Sequence, residues 1–406
     1  MAEKETLIKH IRKLLHKLSL TEKLINITPS ALSGDGYLGM ITKVYLVAVN
    51  NNGSTKTLNL IVKSATANPG VRSQLRIDVA FKTESIFYEK IFTVFDRLQT
   101  ENGITEPFIS VPCYYTCTDY LDETLILEDM KEQNYLMYKK STSLDYDHII
   151  LSLKTYAKFH ALSFALRDQK SDIFEQLRQE VKTTFTNSHP KELLQKFMES
   201  SNADLLASLS QDERIQNKMK EIVKRSVETL LDEGTQENEY CVFIHGDCWL
   251  NNLLFKYGNS LKPNTPTEMR LLDFQFSTVA SPASEVSSFF FINIANELLV
   301  DKHDQFLELY HKTLSDFLVK LGSDPNKLFP WDGLKQQMKK YSIRGLLSSL
   351  QAIRLLRVES DKLPNLNNCT DFDDVVKQFD TSFEKNEDYY KALRDISLLC
   401  DKLGYI

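Results

Sequence analysis

Apolar residues recur at helical spacing from the start of the chain, at Leu7, Ile11, Leu14, Leu15 and Leu18, and predict a leading helix over residues 4–28. The pattern then changes to strands. Ile41 to Val49 and Thr57 to Lys63 read as a hairpin turned by Asn50-Asn51-Asn52-Gly53. Helical periodicity returns at Phe81, Ser85 and Tyr88, interleaved with Phe87, Ile91 and Phe95. Pro107 to Thr118 and Leu121 to Met130 read as two more strands around an acidic turn, and the polar Lys131-Glu-Gln-Asn134 follows as a linker. From Ser143 onward the texture is helical. Residues 144–166 carry Ile149, Ile150, Leu153, Ala157, His160, Ala161 and Phe164 on one broad face. Residues 172–235 predict two or three helices, and further helical patterns follow Ser281-Pro-Ala-Ser-Glu285 and cover 301–321, 334–357 and 371–404. Two short apolar runs, Val242-Phe-Ile244 and Leu253-Leu-Phe255, interrupt them as buried β segments, and residues 257–267 read as a hairpin loop. The expected class is α+β, with an antiparallel sheet and a helix in residues 1–131 and a larger, mainly helical part in 132–406.

Composition narrows the partners. The 406 residues are 42% hydrophobic and 26% charged, enough for a large core, and the net charge is 49 − 55 = −6. Without a concentrated basic block, nucleic acid is not an expected partner. No run of about 18 apolar residues appears, so no membrane span is expected. The charged start, Met-Ala-Glu-Lys-Glu-Thr-Leu-Ile-Lys-His, does not read as a secretory signal. The cysteines Cys113, Cys117, Cys241, Cys248, Cys369 and Cys400 show no CxxC spacing, which fits a reducing, cytoplasmic setting and neither a zinc site nor a disulfide framework.

Candidate chemistry sits on the boundaries between these elements. His245-Gly246-Asp247 is followed five residues after the Asp by Asn252, and Leu271-Leu-Asp-Phe-Gln275 ends an apolar run in an acidic residue. Phosphoryl transfer of the kinase type uses a carboxylate beside the attacking hydroxyl, and an amide with a second carboxylate to hold Mg²⁺ on the phosphates. Alone, such an Asp and Asn read equally well as a buried strand ending in a polar turn. Upstream, Leu32-Ser-Gly-Asp-Gly-Tyr-Leu-Gly-Met40 places Gly34, Gly36 and Gly39 between β segments with no helix following. That context excludes a dinucleotide-binding fingerprint and fits a flap whose backbone approaches phosphates. Lys63 ends a strand, and Glu84 projects from the next helix to pair with it, which would fix the ammonium on the ATP phosphates. Glu128 and Met130 stand where backbone groups of a hinge would meet an adenine edge, though Glu128 and Asp129 also read as ordinary strand-end charges. His160 reads as a hydrogen-bonded core histidine.

The order is flap, strand Lys, helix Glu, hinge, helix, His-x-Asp-x-x-x-x-Asn, Asp-Phe-Gln. Weak matches multiply when they are ordered, and this set predicts a two-lobed protein-kinase-like fold that uses ATP and Mg²⁺. Three features argue against a protein substrate. Gly246 leaves no Arg before the Asp to pair with an activation-loop phosphate, only about ten residues separate Asp273 from the next helix, and no Ala-Pro-Glu follows. A small-molecule hydroxyl is the expected acceptor.

On His245-Gly-Asp-Cys-Trp-Leu-Asn-Asn-Leu-Leu-Phe255 and Leu272-Asp-Phe-Gln275, the chain resembles the insect ecdysteroid kinase-like family, a relative of choline kinases and aminoglycoside phosphotransferases. Leu125-Ile-Leu-Glu-Asp-Met130 and Leu153-Lys-Thr-Tyr-Ala-Lys-Phe-His-Ala-Leu-Ser163 add to the resemblance, which covers nearly the whole length. It implies Asp247 as catalytic base, Asn252 and Asp273 as Mg²⁺ ligands, and Lys63 with Glu84 on ATP. It also implies an alcohol acceptor of the ecdysteroid class. Alternatives are a detoxifying kinase of other alcohols or glycosides, a choline or ethanolamine kinase, and a catalytically silent small-molecule binder. Two positions depart from the family: Glu285 stands where Asp is usual after Ser-Pro, a longer carboxylate in place to orient the catalytic loop, and the flap is richer in glycine.

Overall fold

The computed structural model describes residues 2–29, 39–138, 143–188, 191–231, 238–258, 263–358 and 371–406. The leading helix, α1 (Ala2–Lys17), is shorter than the sequence suggests. Ser19 takes a left-handed φ of 54°, and from Leu20 the chain is extended as β1 (Leu20–Pro29). The reason is local: Ile25 and Ile27 alternate with exposed neighbours, a period of two in the place expected to be helical. With β2 (Gly39–Asn50), β3 (Thr55–Ala65), β4 (Cys113–Cys117) and β5 (Thr124–Glu128), it forms a five-stranded antiparallel sheet ordered β1-β2-β3-β5-β4. The last two strands are shorter than expected. Pro107 and Pro112 have no N–H to give a ladder and delay the start of β4.

Alternation along β3 positions the site. Leu58, Leu60 and Val62 face α1 and pack with Leu7, Ile11, Leu14 and Leu15. Lys63, one residue on, therefore points to the opposite face. That face is covered by α2 (Pro69–Leu75) and α3 (Ile77–Ile86), which runs through a wider π-type turn at Phe87–Ile91 into α4 (Phe92–Glu101). The linker after β5 is a compact turn, Met130–Gln133, capped by Asp129, whose carboxylate accepts from the Lys131 N–H at 3.1 Å.

A second sheet, β6 (Tyr135–Met137), β8 (Leu253–Tyr257) and β9 (Pro266–Leu271), and a pair, β7 (Val242–Ile244) with β10 (Thr278–Ala280), lie in the helical part. They rest on α5 (Tyr146–Gln169), which is buried on most of its surface. Four helices follow it: α6 (Ser171–Ser188), α7 (Lys191–Ser208), α8 (Glu213–Val223) and α9 (Ser226–Leu231), more than the two or three expected. The chain ends in α10 (Pro282–Asn293), α11 (Asn296–Lys320), α12 (Pro325–Leu328), α13 (Trp331–Leu355), α14 (Phe372–Thr381) and α15 (Glu387–Lys402). This is the two-lobed kinase-like fold, an antiparallel sheet with its helices on one side of a cleft and a helical body on the other. Among the described residues, Cys113, Cys117, Cys241, Cys248 and Cys400 are free thiols, and no helix is long and apolar enough to cross a membrane.

Candidate active site

Three buried residues of β7 lead into His245, and the ring of His245 organises the loop that follows. Its Nε2 donates to the Leu272 carbonyl at 2.7 Å, and its Nδ1 accepts from the Asp247 N–H at 3.2 Å, so the ring is neutral and its tautomer is set. Burial holds its pKa below the ordinary value, in keeping with that state. Gly246 turns the chain at φ 80°, and a Cβ there would lie 2.2 Å from the Phe276 carbonyl oxygen. No side chain, least of all an arginine, fits at this position.

Asp247 then enters the cleft. The Asn252 side chain donates to the Asp247 backbone carbonyl and to its Oδ2, both at 2.9 Å, from the short turn Leu250–Asn252. The Trp249 side chain also hydrogen-bonds to Asp247. Burial, with Asp273 nearby, raises the Asp247 pKa to about 7. The Leu272 N–H donates to the Asn252 carbonyl at 2.9 Å, which ties this loop to the Asp-Phe-Gln segment.

Asp273 sits in left-handed backbone, φ 66° and ψ 70°, uncommon for a non-glycine residue. Phe274 anchors it from below, with ring centroids 5.2 Å from Phe87, 4.8 Å from Phe92 and 4.5 Å from His245. Aromatic contacts of this kind add about 0.5–1.5 kcal/mol each beyond area burial. Above it, Lys63 Nζ donates to Glu84 Oε2 and to Asp273 Oδ1, each at 2.7 Å, and to Gln275 Oε1 at 3.3 Å. Burial disfavours the ammonium, but Asp273 and Glu84 outweigh it and hold the Lys63 pKa above the ordinary lysine range. Lys63 therefore stays a cation.

Glu285, in the first turn of α10, supports the loop from behind. Its Oε1 accepts from the Gly246 N–H at 2.7 Å, and its Oε2 from the His245 N–H at 3.1 Å and from His160 Nε2 at 2.9 Å. Burial works against its charge, but the bonds from His160 and His245 outweigh it, and its pKa lies below the usual carboxylate value. His160 is the hydrogen-bonded core histidine expected, and its other nitrogen meets the Tyr310 hydroxyl at 2.7 Å.

Lys63, Glu84, Asp247, Asn252 and Asp273 thus come together in the cleft. Glu128 and Met130 lie at the end of β5 and the start of the turn after it; the Glu128 N–H is engaged by the Pro112 carbonyl at 2.9 Å, and the Met130 side chain is buried. Gly39 opens β2, where a Cβ would fall 2.6 Å from the Ser64 carbonyl oxygen. Gly34 and Gly36 lie outside the described residues. Gln275 and the partners of His160 were not apparent from the sequence, because nothing local signals a contact across 125 or 212 residues. The donor set fits Mg²⁺: Asn252 and Asp273 offer oxygens, and the two bonds from Asn252 Nδ2 leave its amide oxygen as the group for a cation.

The model of the ecdysteroid kinase-like family matches residues 33–323. Comparison with curated protein sequences gave no match. Among solved structures, an ADP-bound aminoglycoside phosphotransferase is similar over 96% of this chain and 98% of its own, at 12% identity and a TM-score of 0.36. A gentamicin complex of another such enzyme covers 95% and 97%, at 12% identity and a TM-score of 0.39. A choline kinase from Streptococcus pneumoniae covers 87% and 99%, at 14% identity and a TM-score of 0.36. These are loose likenesses.

Proposed function

We propose, from the premise that this chain belongs to the ecdysteroid kinase-like family, that it transfers the γ-phosphoryl group of ATP to a small alcohol, with an ecdysteroid hydroxyl as acceptor. One observation carries the reading. Lys63 reaches Glu84 and Asp273 at 2.7 Å each, across 21 and 210 residues, beside a loop that turns Asp247 and Asn252 into the same cleft. Residues 1–131 are the nucleotide-covering lobe and 132–406 the lobe that holds the acceptor.

In this reading Asp247 is the catalytic base. Asn252 and Trp249 hold the carboxylate, which in turn accepts a hydrogen bond from the acceptor hydroxyl and orients it for in-line attack. The bond from the acceptor oxygen to the γ-phosphorus forms as the bond to the ADP oxygen breaks, and the hydroxyl proton passes to Asp247. A carboxyl with a pKa of about 7 is matched to that task. Lys63, held by Glu84, binds the phosphates; Glu128 and Met130 meet the adenine edge, and Gly39 lies at the base of the glycine-rich stretch assigned to the phosphates. Asn252 and Asp273 would hold Mg²⁺, which when bound offsets charge on the phosphates. Gly246 admits no arginine before Asp247, and the eight residues between Asp273 and Pro282 at the start of α10 are too few for an activation segment, which supports a small acceptor over a protein.

The test is mass spectrometry of purified protein with Mg-ATP and mixed ecdysteroids, alongside choline and plant phenolic glycosides. A phosphorylated steroid that disappears in Asp247→Asn is expected. Phosphorylation confined to another alcohol keeps the mechanism and removes the ecdysteroid assignment. Wild-type turnover in Asp247→Asn takes Asp247 out of the mechanism.

A further inference from the structure

We propose that Gln275 is a positioning residue that sets the carboxylate plane of Asp273 and so raises the site's affinity for its divalent cation without ligating it; this rests on the nucleotide-site reading above. Gln275 closes a ring of contacts. Its Nε2 donates to Asp273 Oδ2 at 3.1 Å, its Oε1 accepts from Lys63 at 3.3 Å, and Lys63 donates to Asp273 Oδ1 at 2.7 Å. Each oxygen of Asp273 therefore has its own donor. The amide can face only one way, because an ammonium can only donate and an ionised carboxylate only accept.

The need for such a support follows from the backbone. Asp273 lies in left-handed conformation at the mouth of a three-residue turn, with neither helix nor strand to direct its side chain. Phe274 is buried below, which fixes the direction in which Gln275 leaves the turn, and Gln275 itself is only 7% exposed. Among side chains of this length, an amide alone offers a donor to the carboxylate and an acceptor to the ammonium from one planar group. A glutamate here would set a third carboxylate against Asp273 and Glu84, and a glycine would leave Asp273 Oδ2 without its donor. When a nucleotide draws Lys63 towards its phosphates, the bond from Lys63 to Oδ1 is the one exchanged. The bond from Gln275 to Oδ2 persists and keeps Asp273 aimed while its other oxygen takes the cation.

The experiment separates the metal from the nucleotide. A fluorescent ADP analogue is titrated into wild type, Gln275→Met and Gln275→Ala in EDTA, and then Mn²⁺ is titrated into the complexes with bound ion counted by electron paramagnetic resonance. Loss of one hydrogen bond to a charged group corresponds to an increase of about tenfold in the Mn²⁺ concentration for half-saturation. Metal-free ADP affinity is expected to change by less than about threefold, since Glu84 still holds Lys63 for the phosphates. Circular dichroism checks folding, and the alanine variant adds no bulk if methionine does not pack. Unchanged Mn²⁺ half-saturation in a folded variant overturns the proposal, as does equal weakening with and without metal. Wild type that binds no ADP under either condition overturns the nucleotide-site reading, and the proposal with it.

Discussion

Glu285 receives three buried donors on two oxygens, from His245, Gly246 and His160. Removing that carboxylate strands all three, and breaking a buried charged network by deleting one partner costs about 3–5 kcal/mol. Glu285→Ala is expected to lose stability of that order in urea unfolding, with turnover falling too, because Asp247 hangs from the same loop. Glu285→Gln keeps the size but turns an N–H towards one of the donors, so it should fall between the two; parity with wild type would show that the charge is dispensable. How much of this could be read from sequence depends on distance along the chain. Asp247, Asn252 and Asp273 stand in recognisable spacings, and the pairing of Lys63 with Glu84 follows from a strand end meeting a helix face. The sequence identified Gly246 as the absence of an arginine, and the structure adds a steric cause, the Phe276 carbonyl 2.2 Å from any Cβ. His160 gave its burial but not its partner, since a single histidine on an apolar face carries no information about a carboxylate 125 residues on.

At the scale of elements, the site depends on how α10 is seated. Gly345 of α13 meets α10 so closely that a Cβ would lie 2.6 Å from the Ser287 carbonyl carbon and 2.8 Å from the Ser288 nitrogen. Both contacts are backbone and cannot rotate away. Gly→Ala in an open helix stabilises by about 1 kcal/mol; here overpacking reverses the sign, and Gly345→Ala should lose about 1–3 kcal/mol. Because Glu285 lies in the first turn of α10, activity should drop alongside the thermal midpoint. A raised midpoint would mean that the two helices can part without cost. Elements with a sustained period were the most readable: α5 and α10 lie where their apolar faces indicate. β1 was not, because it follows a strong helical pattern with only Leu18 and Ser19 between, and the short alternation of its two half-buried isoleucines at a sheet edge is easily absorbed into the helix before it. The short linker helices α8 and α9 share charged, glycine-poor sequence with their neighbours, and their separate axes are set by tertiary packing rather than by local signals.

Among the described residues there are two apolar cores, one between α1 and the outer face of the sheet, and one that runs from α3 and α4 through the cleft floor into the helical lobe. The two-lobed plan was legible because chemistry-bearing motifs fell in a fixed order; the seating of α1 was not, since its polar anchors lie far along the chain. His10 of α1 is fully buried and meets Asp122 at 2.9 Å and the Tyr115 hydroxyl at 3.2 Å. Burial, the largest influence, lowers its pKa below the usual 6.5 despite Asp122, and burial does the same to His245 and His311. In the unfolded chain these rings take up protons near pH 6.5, while in the folded protein they do so only at lower pH. Between those values the unfolded state binds more protons, so stability is present above about pH 6.5 and is lost as pH falls through the window beneath it. Asp122 adds in the same direction further down. Burial tends to raise its pKa, but Lys9 and His10 outweigh that and hold it below the usual 3.8, so its contribution fades only as pH falls below that value. The thermal midpoint should therefore decline between pH 7.5 and 5.5. His10→Gln, which retains an amide donor for Asp122, should flatten that slope by up to about 1.4 kcal/mol per pH unit, the weight of one proton. A His10→Gln profile that superimposes on wild type would show that His10 takes up its proton over the same pH range in the folded and unfolded chain.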